Sequence, residues 1–373
     1  MIVGIPSETF PSERRVAVVP SVIQSLKKAQ LEVLIQAGAG EAAGFRDTTY
    51  IESGARITES RAEIFSSADV ILQVRTFGAN VEVGRVDLEL MRPKQIVIGL
   101  SEPLSEPKAA LELAECGITA CSLELMPRIT RAQSMDVLSS MSSLAGYKSA
   151  IMAANTLEKY FPMMMTAAGT YAPAKGLVLG AGVAGLQAIA TCKRLGAVMQ
   201  AFDVRPVVKE QVESVGATFV GLTEEENMED TGGYAKEMTE ESQNKERDLI
   251  QYYAKDADFV ITTALIPGRP APKLITKEMI QAMKPGSVII DMAAESGGNC
   301  VLTKPGEKVM ENGVTILGPL NLPSTMPIHA SQMYSKNVVN LLEHIMNDGE
   351  LVLDLNDVIT SGCCITHKGE LVS

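Results

Sequence analysis

The sequence is poor in the side chains and patterns on which several kinds of function depend. Six cysteines form no C-x-x-C pair and no metal-ligand spacing, so we expect reduced thiols and no metal. Lysine and arginine number 33 against 45 acids, and the net charge of −12 argues against nucleic acid or an anionic membrane surface as a partner. Imidazole comes from three residues only: His329, His344 and His367.

Long apolar segments are also missing. An uncharged stretch between Lys175 and Lys193 contains four glycines, so it predicts a buried strand and helix rather than a membrane span. The first residues contain neither a basic region nor a long apolar region, and no signal peptide is expected. We therefore expect a soluble, cytoplasmic chain.

A glycine-rich turn is the most informative pattern that the chain does contain. Gly180, Gly182 and Gly185 have the G-x-G-x-x-G spacing, after the apolar run Leu177–Leu179 and before a helical pattern that continues to Arg194. In a dinucleotide site the first glycine permits the turn, the second lets the backbone approach the pyrophosphate, and the third lets the helix pack closely on the strand. The alternative is a glycine-rich turn in an unrelated α/β domain.

An acid follows at the distance that a dinucleotide site requires. The next predicted strand ends at Asp203, which lies 21 residues after Gly182, where a carboxylate binds the adenosine ribose. Such a carboxylate accepts hydrogen bonds from a ribose diol and repels a 2′-phosphate, which favours NAD over NADP. Arg205, two residues further on, keeps NADP open.

Alternating strand and helix patterns predict the fold class: α/β, with two Rossmann-like doubly wound parallel-sheet domains joined by long helices around a cleft that would hold the cofactor. We expect a discontinuous first domain over residues 1–136 and 327–373, and a nucleotide-binding domain over residues 137–326. The joining helices are predicted at Val137–Tyr160, ended by Pro162, and at Ala330–Met346, with a small C-terminal tail after them.

Several shorter stretches leave alternatives. The cluster Glu13-Arg14-Arg15 could present a guanidinium to an anion or be solvated, and Gly38, Gly40 and Gly44 predict a turn-forming loop rather than a second nucleotide site. The run 163–165 (MMM) predicts soft core packing. The acidic insertion 224–248, with a glycine pair before Tyr234, predicts a mobile flap or a merely solvated loop.

A compact polar loop precedes the first long helix. Arg128, Arg131, Gln133 and Asp136 fall within nine residues. Ordinary capping by Ser134 or Asp136 and linker chemistry would account for some of this composition. The whole motif, 126–136 (MPRITRAQSMD), indicates more.

At this motif the chain resembles the NAD(H)-binding domain of proton-translocating nicotinamide nucleotide transhydrogenases, which share a superfamily with alanine dehydrogenase. The resemblance covers nearly the whole chain. It includes four further motifs: 163–170 (MMMTAAGT), 180–188 (GAGVAGLQA), 232–238 (GGYAKEM) and 261–268 (ITTALIPG).

The resemblance implies roles for particular residues. Arg128, Gln133 and Asp136 would serve hydride transfer, and the same loop would hold the nicotinamide and its ribose. Glu246 replaces a glutamine that borders the cofactor in some members, so that contact is not carried over. The implied cofactor-binding residues are Arg128, Ile129, Thr130, Gln133, Asp136 and Ser139 in the loop; Gly180, Ala181, Gly182, Val183 and Gly185 at the pyrophosphate; Asp203, Val204 and Arg205 at the adenosine; Gly233 and Tyr234 on the flap; and Leu265 at the nicotinamide edge.

The partners implied by the resemblance are an NADP(H)-binding subunit and a membrane-spanning, proton-conducting subunit. The chain would bind NAD(H) and exchange hydride directly with NADP(H). We expect a homodimer, located at the cytoplasmic face of the inner membrane through its partner subunits.

Alanine dehydrogenase-like oxidation of amino acids is the alternative activity. That enzyme needs a substrate-binding arginine and lysine, a histidine and an aspartate. Here Arg15 matches the arginine, but Arg75 stands at the place of the lysine, Leu100 and Ser101 at that of the histidine, and Glu295 at that of the aspartate. Without an imidazole, proton transfer loses its general acid and base.

Overall fold

A computed structural model describes residues 1–221, 240–347 and 349–372. The chain divides into two compact units. The first comprises residues 1–141 and 323–373, and the second comprises residues 142–322.

Strands and helices alternate along both units. The strands are β1 (Ile2–Ile5), β2 (Glu32–Gln36), β3 (Arg56–Thr58), β4 (Val70–Arg75), β5 (Ile96–Leu100), β6 (Thr119–Ser122), β7 (Met164–Thr166), β8 (Gly169–Tyr171), β9 (Lys175–Leu179), β10 (Val198–Phe202), β11 (Thr218–Phe219), β12 (Phe259–Thr262), β13 (Val288–Asp291), β14 (Lys308–Glu311), β15 (Val314–Leu317), β16 (Met346–Asn347), β17 (Glu350–Leu351), β18 (Cys364–His367) and β19 (Glu370–Leu371). The α-helices are α1 (Ile23–Lys28), α2 (Asp47–Glu52), α3 (Arg61–Ser67), α4 (Arg85–Leu90), α5 (Pro107–Glu115), α6 (Val137–Thr156), α7 (Val183–Arg194), α8 (Lys209–Ser214), α9 (Glu240–Asp256), α10 (Lys277–Ala282), α11 (Pro327–His344) and α12 (Val358–Cys363).

The first unit contains an eight-stranded sheet in the order β19-β18-β6-β5-β4-β1-β2-β3. Its six strands from β6 to β3 are parallel. In chain order they read 3-2-1-4-5-6, the doubly wound arrangement. All of β4 is buried, as expected for a central parallel strand covered on both faces.

The sequence predicts a small C-terminal tail, but in the structure these residues extend the sheet of the first unit. β18 instead pairs antiparallel with β6, where Cys364 lies opposite Cys121, and β19 continues the same sheet. Both cysteines are fully buried. The end of the chain therefore belongs to the first unit's core.

The second unit contains a seven-stranded sheet in the order β11-β10-β9-β12-β13-β15-β14, parallel except for β14. Successive residues of β9 enter opposite cores. Val178 packs in the cluster that contains Ile189 of α7, and Leu177 packs in the cluster that contains Ile250 of α9. Because both faces are covered, the sequence run reads as continuously apolar. The predicted α/β class with two parallel-dominated sheets is confirmed.

The predicted helix 137–160 begins at Val137 but ends at Thr156, six residues before Pro162, so the proposed role of that proline is wrong. Interactions after the helix hold the chain in another path. Lys159 lies 3.0 Å from both carboxylate oxygens of Asp258, and the Phe161 ring stacks on Phe259 at 4.6 Å between centroids.

The methionine run is not core packing. β7 and β8 form an antiparallel hairpin; Met163, just before it, is 60% exposed and Met165, within it, is 77% exposed. The prediction relied on apolar composition alone, whereas β7 and β8 form a two-stranded sheet of their own, separate from the seven-stranded sheet. Most of the predicted flap, including Gly233 and Tyr234, lies outside the described residues, and its last residues open α9.

Candidate functional site

The glycine-rich turn joins β9 to α7 at the point where the strand order of the second sheet reverses. β9 is flanked by β10 on one side and by β12 on the other, and helices that follow these strands cover opposite faces. In open α/β sheets, ligands bind in the crevice outside the carboxyl ends of the strands at such a switch point. The fold thus places the turn at the expected ligand edge.

Each glycine of the turn has its own physical reason. Gly180 has φ +99°, a backbone conformation that residues with a side chain rarely adopt. A Cβ on Gly185 would lie 1.9 Å from the Gly180 carbonyl oxygen, so only glycine lets α7 pack on the turn. Gly182 has φ −75° and ψ −169° at the start of α7, and a Cβ there would meet nothing within 4 Å. Neither the backbone conformation nor the packing requires glycine at position 182. The absence of a side chain there leaves open space that a ligand could enter.

Asp203, directly after β10, is buried and fully engaged. Its carboxylate accepts hydrogen bonds from the Ala181 amide at 2.7 Å and from the amide, Nε and Nη2 of Arg205, each at 2.9 Å. The first bond ties the acid to the glycine turn. The guanidinium of Arg205 occupies acceptor positions that a ribose diol would use, so a bound ribose must displace it or share the carboxylate with it.

A second carboxyl group, which the sequence left without a role, stands near Asp203. Glu246 on α9 is only 9% exposed. Burial raises the pKa of Glu246 to about 7; the charge of Arg247 opposes this shift and the charge of Asp203 adds to it. Its neighbours Lys245, Arg247 and Asp248 are exposed, so the charged run gave no signal that Glu246 is buried.

The loops after β12 and β13 complete this edge of the sheet. Thr263 donates its hydroxyl to the Gly180 carbonyl at 3.0 Å. Asn299 accepts from the Ala264 amide at 3.1 Å and donates to the Ala264 carbonyl at 2.8 Å. Leu265, next in the chain, is 46% exposed. The loop backbone is therefore fixed, while an apolar side chain remains accessible at the edge.

The polar loop of the first unit has buried anchors and exposed polar tips. Residues Thr130–Met135 form a 3₁₀ helix, in which Ala132 and Met135 are buried. The other side chains from position 128 to position 134 are exposed: Arg128, Ile129, Thr130, Arg131, Gln133 and Ser134.

Asp136 caps the long helix that follows this loop. Its carboxylate accepts from the Ser139 amide at 2.8 Å and from the Ser139 hydroxyl at 2.5 Å. The capping expectation is met by Asp136, whereas Ser134 makes no such bond among the hydrogen bonds described. Two of the candidate site residues thus contact each other through a helix cap.

Three of the positions that the alternative activity would use, Arg15, Arg75 and Ser101, lie in the first unit, and both arginines are already paired with acids. Arg15 is 3% exposed and forms a bidentate pair with Glu13, with both distances 2.7 Å. Arg75 lies 3.3 Å from the same Glu13 and 3.4 Å from Glu102. Of the two alternatives for the cluster 13–15, the solvated one does not hold for Glu13 and Arg15, whose side chains are buried; Arg14 is exposed.

Other groups near these ion pairs are also engaged within the first unit. Burial of its carboxyl group raises the pKa of Glu8 to about 8 despite hydrogen bonds from the Val74 and Arg75 amides. Ser101, at the place where an imidazole would be needed, shares a 2.7 Å hydrogen bond with Thr76. The two imidazoles with described partners are engaged elsewhere, His344 with Asp357 and His367 with Thr119.

Comparison with known families accounts for both units. The alanine dehydrogenase/PNT N-terminal domain matches residues 4–145, and the C-terminal domain matches residues 149–373. The chain belongs to the alanine dehydrogenase/PNT family. This membership implies a nicotinamide nucleotide-binding domain.

Within this family, the chain is more similar to transhydrogenases than to alanine dehydrogenases. It is 46% identical to the first part of NAD(P) transhydrogenase subunit alpha of Rhodospirillum rubrum, over 100% of this chain and 98% of that protein. The crystal structure of transhydrogenase from Sinorhizobium meliloti has a TM-score of 0.89 and 43% identity, with full coverage of both chains. Alanine dehydrogenase of Mycolicibacterium smegmatis is 28% identical, over 100% of this chain and 95% of that protein.

The described residues also bear on membrane and metal sites. None of the described helices is long and apolar enough to cross a membrane. Within the described ranges, no group of three or more His, Cys, Asp or Glu side chains could hold a metal ion.

Proposed function

We propose that this chain is the NAD(H)-binding subunit of a proton-translocating nicotinamide nucleotide transhydrogenase. The observation that carries the proposal is the open space at Gly182, at the switch point of the second sheet and one residue from an amide that bonds Asp203. A dinucleotide pyrophosphate fits this space, because α7 begins here with no side-chain cap on its first amides.

The geometry of the turn supports a set of binding residues. Ala181, Gly182 and Val183 would face the pyrophosphate, and Asp203 with Arg205 the adenosine ribose. Leu265 would supply an apolar edge for the nicotinamide. A carboxylate at position 203 favours a free 2′-hydroxyl over a 2′-phosphate, so NAD(H) is preferred over NADP(H).

The loop of the first unit would serve transfer. A bound nicotinamide supplies the hydride, and transfer to a second nicotinamide requires alignment within about 3–3.5 Å but no general acid or base. Arg128, Gln133 and Asp136, with Ser139 beside them, are suited to positioning. None of the three histidines belongs to the candidate site, which agrees with a transfer step that needs no general acid or base.

Partner subunits belong to the same proposal. One credible glycine fingerprint provides for one dinucleotide, so NADP(H) would be bound by another subunit and protons conducted by a membrane-spanning one. The similarity to proteins named subunit alpha supports such partners. In this scheme the chain is a homodimer held at the cytoplasmic face of the membrane.

Reconstitution tests the proposal against the alternative within the family. The purified chain is mixed with the NADP(H)-binding component of a transhydrogenase, and hydride transfer from NADPH to a NAD analogue is followed. A second sample contains the chain alone with NADH, pyruvate and ammonia. Transfer only in the first sample is expected, because Arg15 and Arg75 are paired with acids. Turnover in the second sample alone would assign the chain to amino-acid oxidation, and NADH binding without turnover in either would indicate a sensing module.

A further inference from the structure

The polar loop contains two arginines, and the structure treats them differently. Nη2 of Arg131 donates to Oδ2 of Asp357 at 2.8 Å, across 226 positions of sequence. Asp357 follows the end of α11 by thirteen residues and directly precedes α12. The motif around Arg131 gives no hint of this partner.

Asp357 is itself firmly held. Its Oδ1 caps α12 by accepting from the Ile359 and Thr360 amides at 2.9 and 3.4 Å, and Nε2 of His344 lies 3.1 Å from the same oxygen. The backbone carbonyl of Asp357 accepts the Ser361 hydroxyl at 2.9 Å. Arg131 is therefore bonded to a carboxylate that cannot follow the loop if the loop moves.

A second attachment lies three residues further along the loop. The Ser134 carbonyl accepts from Nδ2 of Asn337 at 2.8 Å and from Nδ2 of Asn340 at 3.0 Å, both on α11. Ala132 and Met135 are buried between and beside these points. Gln133, in the middle of this attached stretch, has an exposed side chain.

We propose that Arg131 and Asp357 form a latch that positions the 128–136 loop for hydride transfer, so that Arg131 is a positioning residue and not a nucleotide contact. The inference rests on the function proposed above. By the function proposed above, Arg128 would serve the nucleotides, whereas Arg131 holds the loop to the C-terminal segment.

The latch is charged throughout the neutral range. Arg131, helped by the Ile359 and Thr360 amides and by His344, holds the pKa of Asp357 well below its usual range, although burial opposes this. A lowered carboxyl pKa means that the contribution is present above the ordinary value near 4 and is lost only as the pH falls through the lowered value. Since the Arg131 side chain is 61% exposed, the pair should weaken in high salt.

The test compares Arg131→Ala and Asp357→Asn with the double variant in the reconstituted complex. Asparagine remains a good helix cap, so the second change removes the charge and keeps α12. NADH affinity of the isolated chain and the single-turnover transfer rate are both measured. We expect each single change to slow transfer at least roughly tenfold, because a shift of about 1 Å can cost about 100-fold, with NADH affinity within twofold. The double variant should be no slower than either single one.

Matched variants make the result specific. Arg56, exposed and 3.8 Å from Glu32 in the same unit, provides the control: Arg56→Ala should change neither quantity. Arg131→Lys should recover most of the rate, and 0.5 M salt should slow the unmodified complex more than the Arg131→Ala complex.

Three results would overturn the latch. Unchanged transfer in both single variants would show that the pair has no positioning role, additive losses would show that the two residues act separately, and a loss of NADH affinity as large as that of Arg128→Ala would make Arg131 a nucleotide contact. Absence of transfer in the unmodified complex would reject the proposed function, and the positioning role with it.

Discussion

Replacing Gly182 by alanine would separate nucleotide binding from folding. Position 182 has φ −75° and ψ −169°, which alanine adopts without strain, and its Cβ would meet no atom within 4 Å. A dinucleotide whose pyrophosphate lies against this backbone would meet the new methyl group directly. The change should therefore act on the ligand and leave the protein intact.

The two effects differ in size. Loss of glycine's freedom in the unfolded chain stabilises by about 0.4–1 kcal/mol, and alanine at a helix N-cap costs about as much, so stability should change by less than about 1 kcal/mol. Displacing a phosphate loses at least one hydrogen bond to a charged group, worth about 1.5–3 kcal/mol. At about 1.4 kcal/mol per factor of ten, NADH affinity should fall roughly ten- to a hundredfold.

Gly185→Ala is the matched contrast. Its Cβ would lie 1.9 Å from the Gly180 carbonyl oxygen and 3.3 Å from Cγ1 of Val178, so α7 must shift, and overpacking of this kind costs about 1–3 kcal/mol or more. Calorimetric NADH titration and thermal unfolding measure both variants. We expect Gly182→Ala to lose affinity at an unchanged melting temperature, and Gly185→Ala to lose stability. Unaltered NADH affinity in Gly182→Ala would refute the placement of the pyrophosphate.

Three further predictions concern the other candidate residues. Asp203→Ala should narrow the difference between NADH and NADPH affinities measured by titration, because the acid that repels a 2′-phosphate is removed; equal affinities in the unmodified protein would contradict this role. Gln133→Asn should slow single-turnover transfer by up to about 100-fold with NADH affinity within twofold, and a proportional loss of affinity at an unmodified rate would make Gln133 a binding residue. The carboxyl group of Glu246 has a pKa of about 7, so between pH 4.5 and 7 it ionises in the unfolded chain only, and the free energy of unfolding should fall by roughly 3 kcal/mol over this range. Urea unfolding should find Glu246→Gln more stable than the unmodified protein at pH 8 and equally stable at pH 4. Equal stability of the two proteins at both pH values would contradict the raised pKa of Glu246.

Local signals in the sequence predicted the geometry of the glycine-rich turn. The glycine spacing specified a positive φ at Gly180, a helix start at Gly182 and a close approach at Gly185, and each depends on residues within a few positions. The pairing of Asp203 with Arg205 also joins near neighbours, and the two-residue spacing was visible. Such features follow from chain geometry and need no knowledge of distant partners.

Long-range partners could not be predicted in the same way. Glu13 and Arg15 look solvated in sequence, yet they are buried because Arg75, sixty residues away, shares the acid. Asp357 caps α12, but nothing near it in the sequence indicates Arg131 as its partner. At Met165 the error was the reverse: hydropathy predicted core packing, whereas the side chain is exposed on a short hairpin.

The hydrogen bonds of Asp136 bear on the kind of chemistry that the loop can support. A general base must be oriented toward the proton that it takes, whereas both oxygens of Asp136 are oriented by bonds from Ser139. A residue engaged in this way fixes the start of α6 and the exit of the loop. Direct hydride transfer between two nicotinamides moves no proton. The carboxylate of Asp136 can therefore cap α6 without any loss to the transfer step.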